Sequence, residues 1–317
     1  MSSIFLSPPT QQINNAITYH AGVDLHVLRL DLMHPWVNGN KWFKLKYNLL
    51  EAKQKNFTTL LTFGGAYSNH IYATAAAGNL FGFRTIGVIR GEEKLPLNST
   101  LSFAVQQGMQ LVYINREAYR QRNTAALEED LRQRFGEIFI IPEGGSNLNG
   151  VRGCTEIVKE AAVFDTICVA CGTATTLAGI ALSLHKGQRA LAFPVLKGGA
   201  FLAPEIEKLL KNYLVSDLPS PNSYPGDWEL VCDYHFGGYA KVKHELILFS
   251  QEFAQMHGIP LDYVYTAKMF YGVMDLLQQG FFCRGDRLLL VHTGGLQGNI
   301  GIEERLQKFQ NLAQPEN

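Results

Sequence analysis

The chain has 317 residues, enough for two domains at about 150 residues each. Hydrophobic residues make up 46% and charged residues 18%, which excludes an intrinsically disordered chain. Lys plus Arg is 28 and Asp plus Glu is 28, so no bulk field draws nucleic acid or an anionic membrane. The first fifteen residues hold neither a basic stretch nor a long apolar core, so no signal peptide is expected, and no apolar run is long enough to predict a spanning helix. In chain order the patterns predict a helix over 44–55, a strand over 59–63, a helix over 69–81, then strands over 85–90 and 110–114. A helix over 117–135, a strand over 137–141, a helix over 151–162, a strand over 165–171, a helix over 175–186 and a strand over 189–195 follow. After a Pro- and Ser-rich loop over 215–228 come a strand over 229–234, helices over 240–257 and 266–279, and a strand over 287–292. The strand segments are short, nearly continuous in hydrophobicity and often β-branched, as strands buried on both faces of a parallel sheet are. Their alternation with helices predicts an α/β fold.

The cysteines are Cys154, Cys168, Cys171, Cys232 and Cys283, an odd count that suggests reduced thiols in a cytoplasmic protein. Cys168 and Cys171 form a C-x-x-C, but they lie in an apolar strand pattern. No second C-x-x-C or paired histidine follows, so core packing is expected and a metal site is not.

Ligands of open α/β sheets bind beyond the carboxyl ends of the strands. Four glycine-rich turns stand there: Gly64–His70, Pro142–Asn147, Gly172–Gly179 and Thr293–Gly298. Glycine permits tight turns and close backbone approach, and a helix start offers unpaired N–H groups to an anion. One such turn is routine; four imply a backbone that closes around a ligand with an anionic group. The Gly172 turn is not a Walker A loop, because no Gly-Lys pair occurs in the chain, and its Gly-Thr-Ala-Thr-Thr-Leu-Ala-Gly does not read G-x-G-x-x-G. A nucleophile is available in Asn38-Gly39-Asn40-Lys41-Trp42-Phe43-Lys44-Leu45. A lysine amine can form a Schiff base once desolvated or set beside another cation. Taken alone, the segment also fits an ordinary basic helix start.

Together the motifs resemble the pyridoxal-phosphate enzymes of the aminocyclopropane-carboxylate deaminase and D-cysteine desulfhydrase family. The resemblance rests on Asn38–Lys41 with Lys44-Leu45, Gly64–His70, Gly172–Gly179, Asp262–Lys268 and His292–Gly295, in order over nearly the whole chain. It implies two open, twisted parallel-sheet α/β domains of the tryptophan synthase β-like type (fold type II). The larger, cofactor-binding domain would comprise residues 1–44 plus 156–317, and 45–155 would be a smaller inserted domain. It implies pyridoxal 5'-phosphate as cofactor, a small amino acid as substrate, and a homodimer. By the same resemblance Lys41 carries the cofactor covalently and moves the α-proton. Asn69 bonds its phenolic oxygen, Gly172, Thr173, Ala174, Thr175 and Thr176 hold its phosphate, and Thr293 meets its ring nitrogen. Ser68, Asn69 and His70 clamp the substrate carboxylate, and Ser68, Tyr239 and Tyr265 complete the catalytic set.

Departures bear on the substrate. The family's deaminases place a glutamate after the second tyrosine, where this chain has Thr266. A neutral hydroxyl keeps the ring nitrogen protonated less well than a carboxylate does. Thr266 and Thr293 therefore favour α,β-elimination, as in D-cysteine desulfhydrase, over cyclopropane ring opening. Asn38, Phe43 and Tyr67 also differ from residues common in the family, and the bulk of Trp42 and Tyr67 is expected to reshape the substrate side. Two rivals are a Ser68 hydrolase, which lacks a G-x-S-x-G elbow, and a non-catalytic amino-acid-binding protein, which would not need Lys41, Ser68 and both tyrosines together.

Overall fold

A computed structural model describes residues 4–222 and 225–304. Chain order begins β1 (Thr10–Ile13), α1 (Ala16–Ala21), β2 (Asp24–Arg29) and α2 (Gly39–Gln54). Next come β3 (Thr59–Gly64), α3 (Asn69–Phe81), β4 (Arg84–Arg90), α4 (Ser99–Gln106), β5 (Met109–Ile114), α5 (Arg116–Arg120), α6 (Ala125–Phe135) and β6 (Phe139–Ile141). The remainder is α7 (Leu148–Cys154), β7 (Thr166–Cys171), α8 (Thr175–Ser183), β8 (Arg189–Pro194), α9 (Leu202–Leu214), β9 (Asp227–Leu230), α10 (His244–His257), α11 (Thr266–Gln278) and β10 (Arg287–His292). None of the described helices is long and apolar enough to cross a membrane.

Two compact units form. Among the described residues, the larger holds 4–51, 145–222 and 225–294, the smaller 52–144 and 295–304. These junctions differ from the expected ones: 45–51 and 145–155 belong to the larger unit, and the chain beyond Gly294 returns to the smaller. The larger unit carries a six-stranded sheet in the order β1-β2-β10-β7-β8-β9. Only the β1–β2 pair is antiparallel. The smaller unit carries a parallel four-stranded sheet, β5-β4-β3-β6. Each has its own core: Leu191, Phe193, Phe270, Val273 and Leu290 in the larger, Leu61, Phe63, Val88 and Ile138 in the smaller.

The interior strands β3, β7 and β10 match their predicted positions because burial on both faces makes them continuously apolar. In the six-stranded sheet the edge strands do not, and the interior β2 was not expected either. β1 reads TQQI and was not expected, since an edge strand is half-solvated and shows no apolar run. β9 lies at 227–230 rather than 229–234, with alternating exposure at the other edge. The expected 117–135 helix is two helices, with Asn115 capping α5 and Thr124 capping α6. α7 starts at the Asn147 cap and ends at Cys154, eight residues before the expected end. α9, unexpected, buries Leu202, Ile206, Leu210 and Tyr213 along one stripe. All five cysteines are free thiols. Cys168 and Cys171, three apart on a strand, point to opposite sheet faces and cannot bridge each other.

Candidate active site

In the larger unit, Lys41 enters through the first turn of α2. The preceding Gly39 has φ +63°, and a Cβ there would lie 1.9 Å from the Thr293 carbonyl oxygen. Asn40 N–H donates to that same oxygen at 3.4 Å. Gly294, φ +73°, leaves room in turn for the Asn38 amide. Two motifs more than 250 residues apart thus touch backbone to backbone, and only glycine allows it. His292 holds the far side of this contact. Its Nε2 lies 2.8 Å from the Pro260 carbonyl and its Nδ1 accepts the Gly294 N–H at 3.2 Å. Nδ1 also lies 3.3 Å from Asp31 Oδ1. Burial pulls the His292 pKa down, against the pull of Asp31, whose carboxylate is held by both ends of the Arg29 fork.

The Lys41 amine is brought down to about 7, first by desolvation and then by Lys44 one turn on, while Cys154 and Asp262 act the other way. Lys44 is itself buried and lowered, and its Nζ donates to Thr173 Oγ1 at 2.9 Å. Burial pushes the Cys154 thiol up to about 11, so it is not a competing thiolate.

Strand β7 ends at Cys171, and the turn Gly172–Ala174 leads into α8. A Cβ on Gly172 would lie 2.6 Å from Tyr265 Cε1, so the ring of Tyr265 lies directly against this glycine. Ala174 is the N-cap of α8 and gives no side-chain cap. The neighbouring hydroxyls are engaged away from the helix start: Thr175 donates to Ser146 Oγ at 2.8 Å, and Thr176 accepts from Asn40 Nδ2 at 3.0 Å. The first turn of α8 therefore presents N–H groups that no side chain caps, beside a buried lysine. A helix start of this kind is able to take an anionic group such as a phosphate. With the depressed Lys41 amine nearby in the same unit, these residues fit pyridoxal phosphate.

Tyr239 and Tyr265 come together edge to face, ring centroids 6.1 Å apart at 73°. Each is positioned by its own turn. Lys268 Nζ donates to the carbonyls of His235 and Gly238 at 2.9 and 2.8 Å, pinning the loop that carries Tyr239. Asp262 Oδ1 accepts the Tyr265 N–H at 2.6 Å, and Asp262 N–H donates to Thr266 Oγ1 at 2.8 Å. Thr266 is fully buried and its hydroxyl is spent inside this turn. Asp262 is pushed up to about 7 by burial, against the backbone N–H groups it accepts, and its Oδ2 has no partner among the described residues.

In the smaller unit, Ser68 caps α3. Its Oγ accepts the N–H groups of His70 at 3.2 Å and Ile71 at 3.3 Å, which leaves its proton to donate elsewhere. Gly64 must be glycine, since a Cβ would meet Ser68 and Ile71 below 3 Å. Asn69 Oδ1 accepts from Gln297 Nε2 at 2.9 Å. The His70 ring is buried and lies 2.9 Å from Thr62 Oγ1, which donates on to Ile141 O. Its ring thus faces the sheet, not solvent. Tyr67 is half-exposed, whereas Trp42 of the larger unit is buried and stacked on Phe5 at 3.8 Å, so its bulk goes into packing.

Lys44, Asn40, Ser146, Asp262 and Gln297 were given no role from the sequence. All five stand inside segments that the sequence singles out; Lys44, Asn40, Ser146 and Gln297 meet their partners only by tertiary contact, whereas Asp262 bonds within its own turn.

The site and fold define the class. The family model described as "Pyridoxal-phosphate dependent enzyme" matches residues 10–294, and the chain belongs to this family of pyridoxal-phosphate enzymes. Among relatives, a Pyrococcus horikoshii protein provisionally named 1-aminocyclopropane-1-carboxylate deaminase is 31% identical over 94% of this chain and 92% of its own. The Arabidopsis thaliana bifunctional D-cysteine desulfhydrase/1-aminocyclopropane-1-carboxylate deaminase is 29% identical over 92% of this chain and 76% of its own. A crystal structure described as an ACC deaminase homologue matches 96% of this chain and 94% of its own with a TM-score of 0.81 and 28% identity.

Proposed function

We propose that the protein is an amino-acid lyase of the D-cysteine desulfhydrase kind, converting D-cysteine and water to pyruvate, ammonia and hydrogen sulfide. The observation that carries this reading is Thr266. It stands where the family's deaminases carry a glutamate, and its hydroxyl is occupied by the Asp262 N–H. Bound pyridoxal phosphate supplies the electron sink for charge left at the substrate's α-carbon. Lys41 would hold the cofactor, and its amine, brought down to about 7 by burial, is able to take up the α-proton. Gly172, Thr173, Ala174, Thr175 and Thr176 would hold the phosphate, and Thr293 would face the ring nitrogen. Ser68, with one hydroxyl proton to give, and the helix start at Asn69 would bind the carboxylate. The His70 ring is turned to Thr62 and its N–H is taken by Ser68 Oγ, so His70 would support the carboxylate site by holding the turn rather than by direct contact. Tyr239 and Tyr265 would act as a pair at the reacting carbon.

The second reading is ring opening of 1-aminocyclopropane-1-carboxylate to 2-oxobutyrate and ammonia, the activity in the name of the Pyrococcus relative and one of the two in that of the Arabidopsis relative. Incubating the purified holoenzyme with each compound separates them. Sulfide and pyruvate from D-cysteine support the desulfhydrase. Oxobutyrate without sulfide would sink it. Borohydride reduction followed by peptide mapping should find a pyridoxyl group on Lys41. A homodimer in the cytoplasm completes the proposal; the five free thiols support a reducing compartment.

A further inference from the structure

We propose that Gln297 is a positioning residue that sets the side-chain orientation of Asn69, so that Asn69 offers an N–H donor rather than a carbonyl. This rests on the reading of Asn69 as the partner of the cofactor's phenolic oxygen. An asparagine amide has one accepting and one donating end, and which end faces a ligand depends on what holds the other. Ser68 fixes the backbone at the start of α3 but leaves the Asn69 side chain free to turn. Gln297 removes that freedom. Its Nε2 donates to Asn69 Oδ1 at 2.9 Å across 228 residues of sequence. With Oδ1 taken, Nδ2 is the end left for a ligand, and an oxygen with phenolate character needs a donor.

A second contact braces the same turn. A Cβ on Gly301 would lie 2.4 Å from Cε1 of Tyr67, so the segment after the Thr293–Gly295 turn also packs closely on the residue two before Asn69. Gln297 and Gly301, both in the smaller unit, hold Asn69 and Tyr67 from one short segment. The arrangement gives the Gly294–Gly298 stretch a use beyond its glycines.

The test is the pH midpoint of the visible absorption band of the holoenzyme. Gln297→Glu can only accept, so it turns the Asn69 amide around and aims Oδ1 at the phenolic oxygen. The midpoint should rise by about one pH unit, a tenfold change in proton affinity. Gln297→Leu, which frees Asn69 without reversing it, should give a smaller rise. In an Asn69→Ala background, adding Gln297→Glu should move the midpoint by less than a third of that. Borohydride trapping on Lys41 and the thermal midpoint check that each variant is folded and loaded. If Gln297→Glu shifts the band equally with and without Asn69, or leaves it unmoved while Asn69→Ala shifts it, the proposal is wrong and the Asn69 reading stands. If Asn69→Ala leaves the band unmoved with the cofactor still on Lys41, the Asn69 reading falls and takes the proposal with it.

Discussion

Gly172→Ala is a sharp probe of how the cofactor cradle and Tyr265 depend on each other. Gly172 does not have a left-handed backbone, so alanine costs it no backbone strain. The whole effect is steric. The added Cβ would stand 2.6 Å from Tyr265 Cε1 and 3.4 Å from its Cζ and hydroxyl oxygen. Carbon atoms rest at about 3.5–4 Å, so the ring or the turn must give by about 1 Å. Tyr265 is fixed behind by its own N–H on Asp262, which resists the movement. Overpacking of this kind costs about 1–3 kcal/mol. A displacement of about 1 Å at a reacting centre lowers turnover about a hundredfold. The assay is turnover of D-cysteine together with the urea midpoint of Gly172→Ala, Tyr265→Ala and the double variant. The stability cost of the alanine should vanish once Tyr265 is truncated, because the clash partner is gone, while turnover stays low. An equal cost in both backgrounds, or none in the first, would refute the steric account.

Reconstitution of the cofactor-free protein with pyridoxal phosphate needs a neutral Lys41 amine, so its rate should climb with pH through about 7 and level off above. Lys44→Met removes a cation that holds Lys41 down, so the midpoint should move to higher pH; stopped-flow absorbance checks both. Because the folded Lys41 amine titrates lower than the unfolded one near 10.5, its burial destabilises the cofactor-free fold as pH falls from about 10 to 7, with no further loss below. Lys41→Met should therefore raise the thermal midpoint of the cofactor-free protein at pH 7, with the gain shrinking towards pH 10. Thr266→Val keeps the shape but strands the buried Asp262 N–H, and should cost about 1–3 kcal/mol in a urea titration.

Parts of the candidate site in each unit were legible in the order of residues. Glycine at 39, 64, 172 and 294 and lysine at 41 mark them, because backbone closeness and amine chemistry each demand one residue type. Interior strands such as β7 and β10 were legible for a similar reason: burial on both faces writes a continuous apolar run. Edge strands β1 and β9 carry no such pattern, since one side of each is solvated and Gln or Glu serves as well as valine. The junctions between the units were displaced because they are set by where the chain packs. Residues 45–51 continue a helix whose start must sit by Thr293, and 295–304 return to hold Tyr67 and Asn69.

The sequence by itself determined the α/β class and the glycine-lined strand ends, because each follows from local composition and spacing, while only the family resemblance pointed to Lys41. Tertiary structure alone decided that the Lys41 amine is brought down to about 7, that the His70 ring turns to Thr62, and that Gln297 meets Asn69. Desolvation and hydrogen-bond partners belong to the surroundings of a side chain, and those surroundings are assembled from residues far apart along the chain.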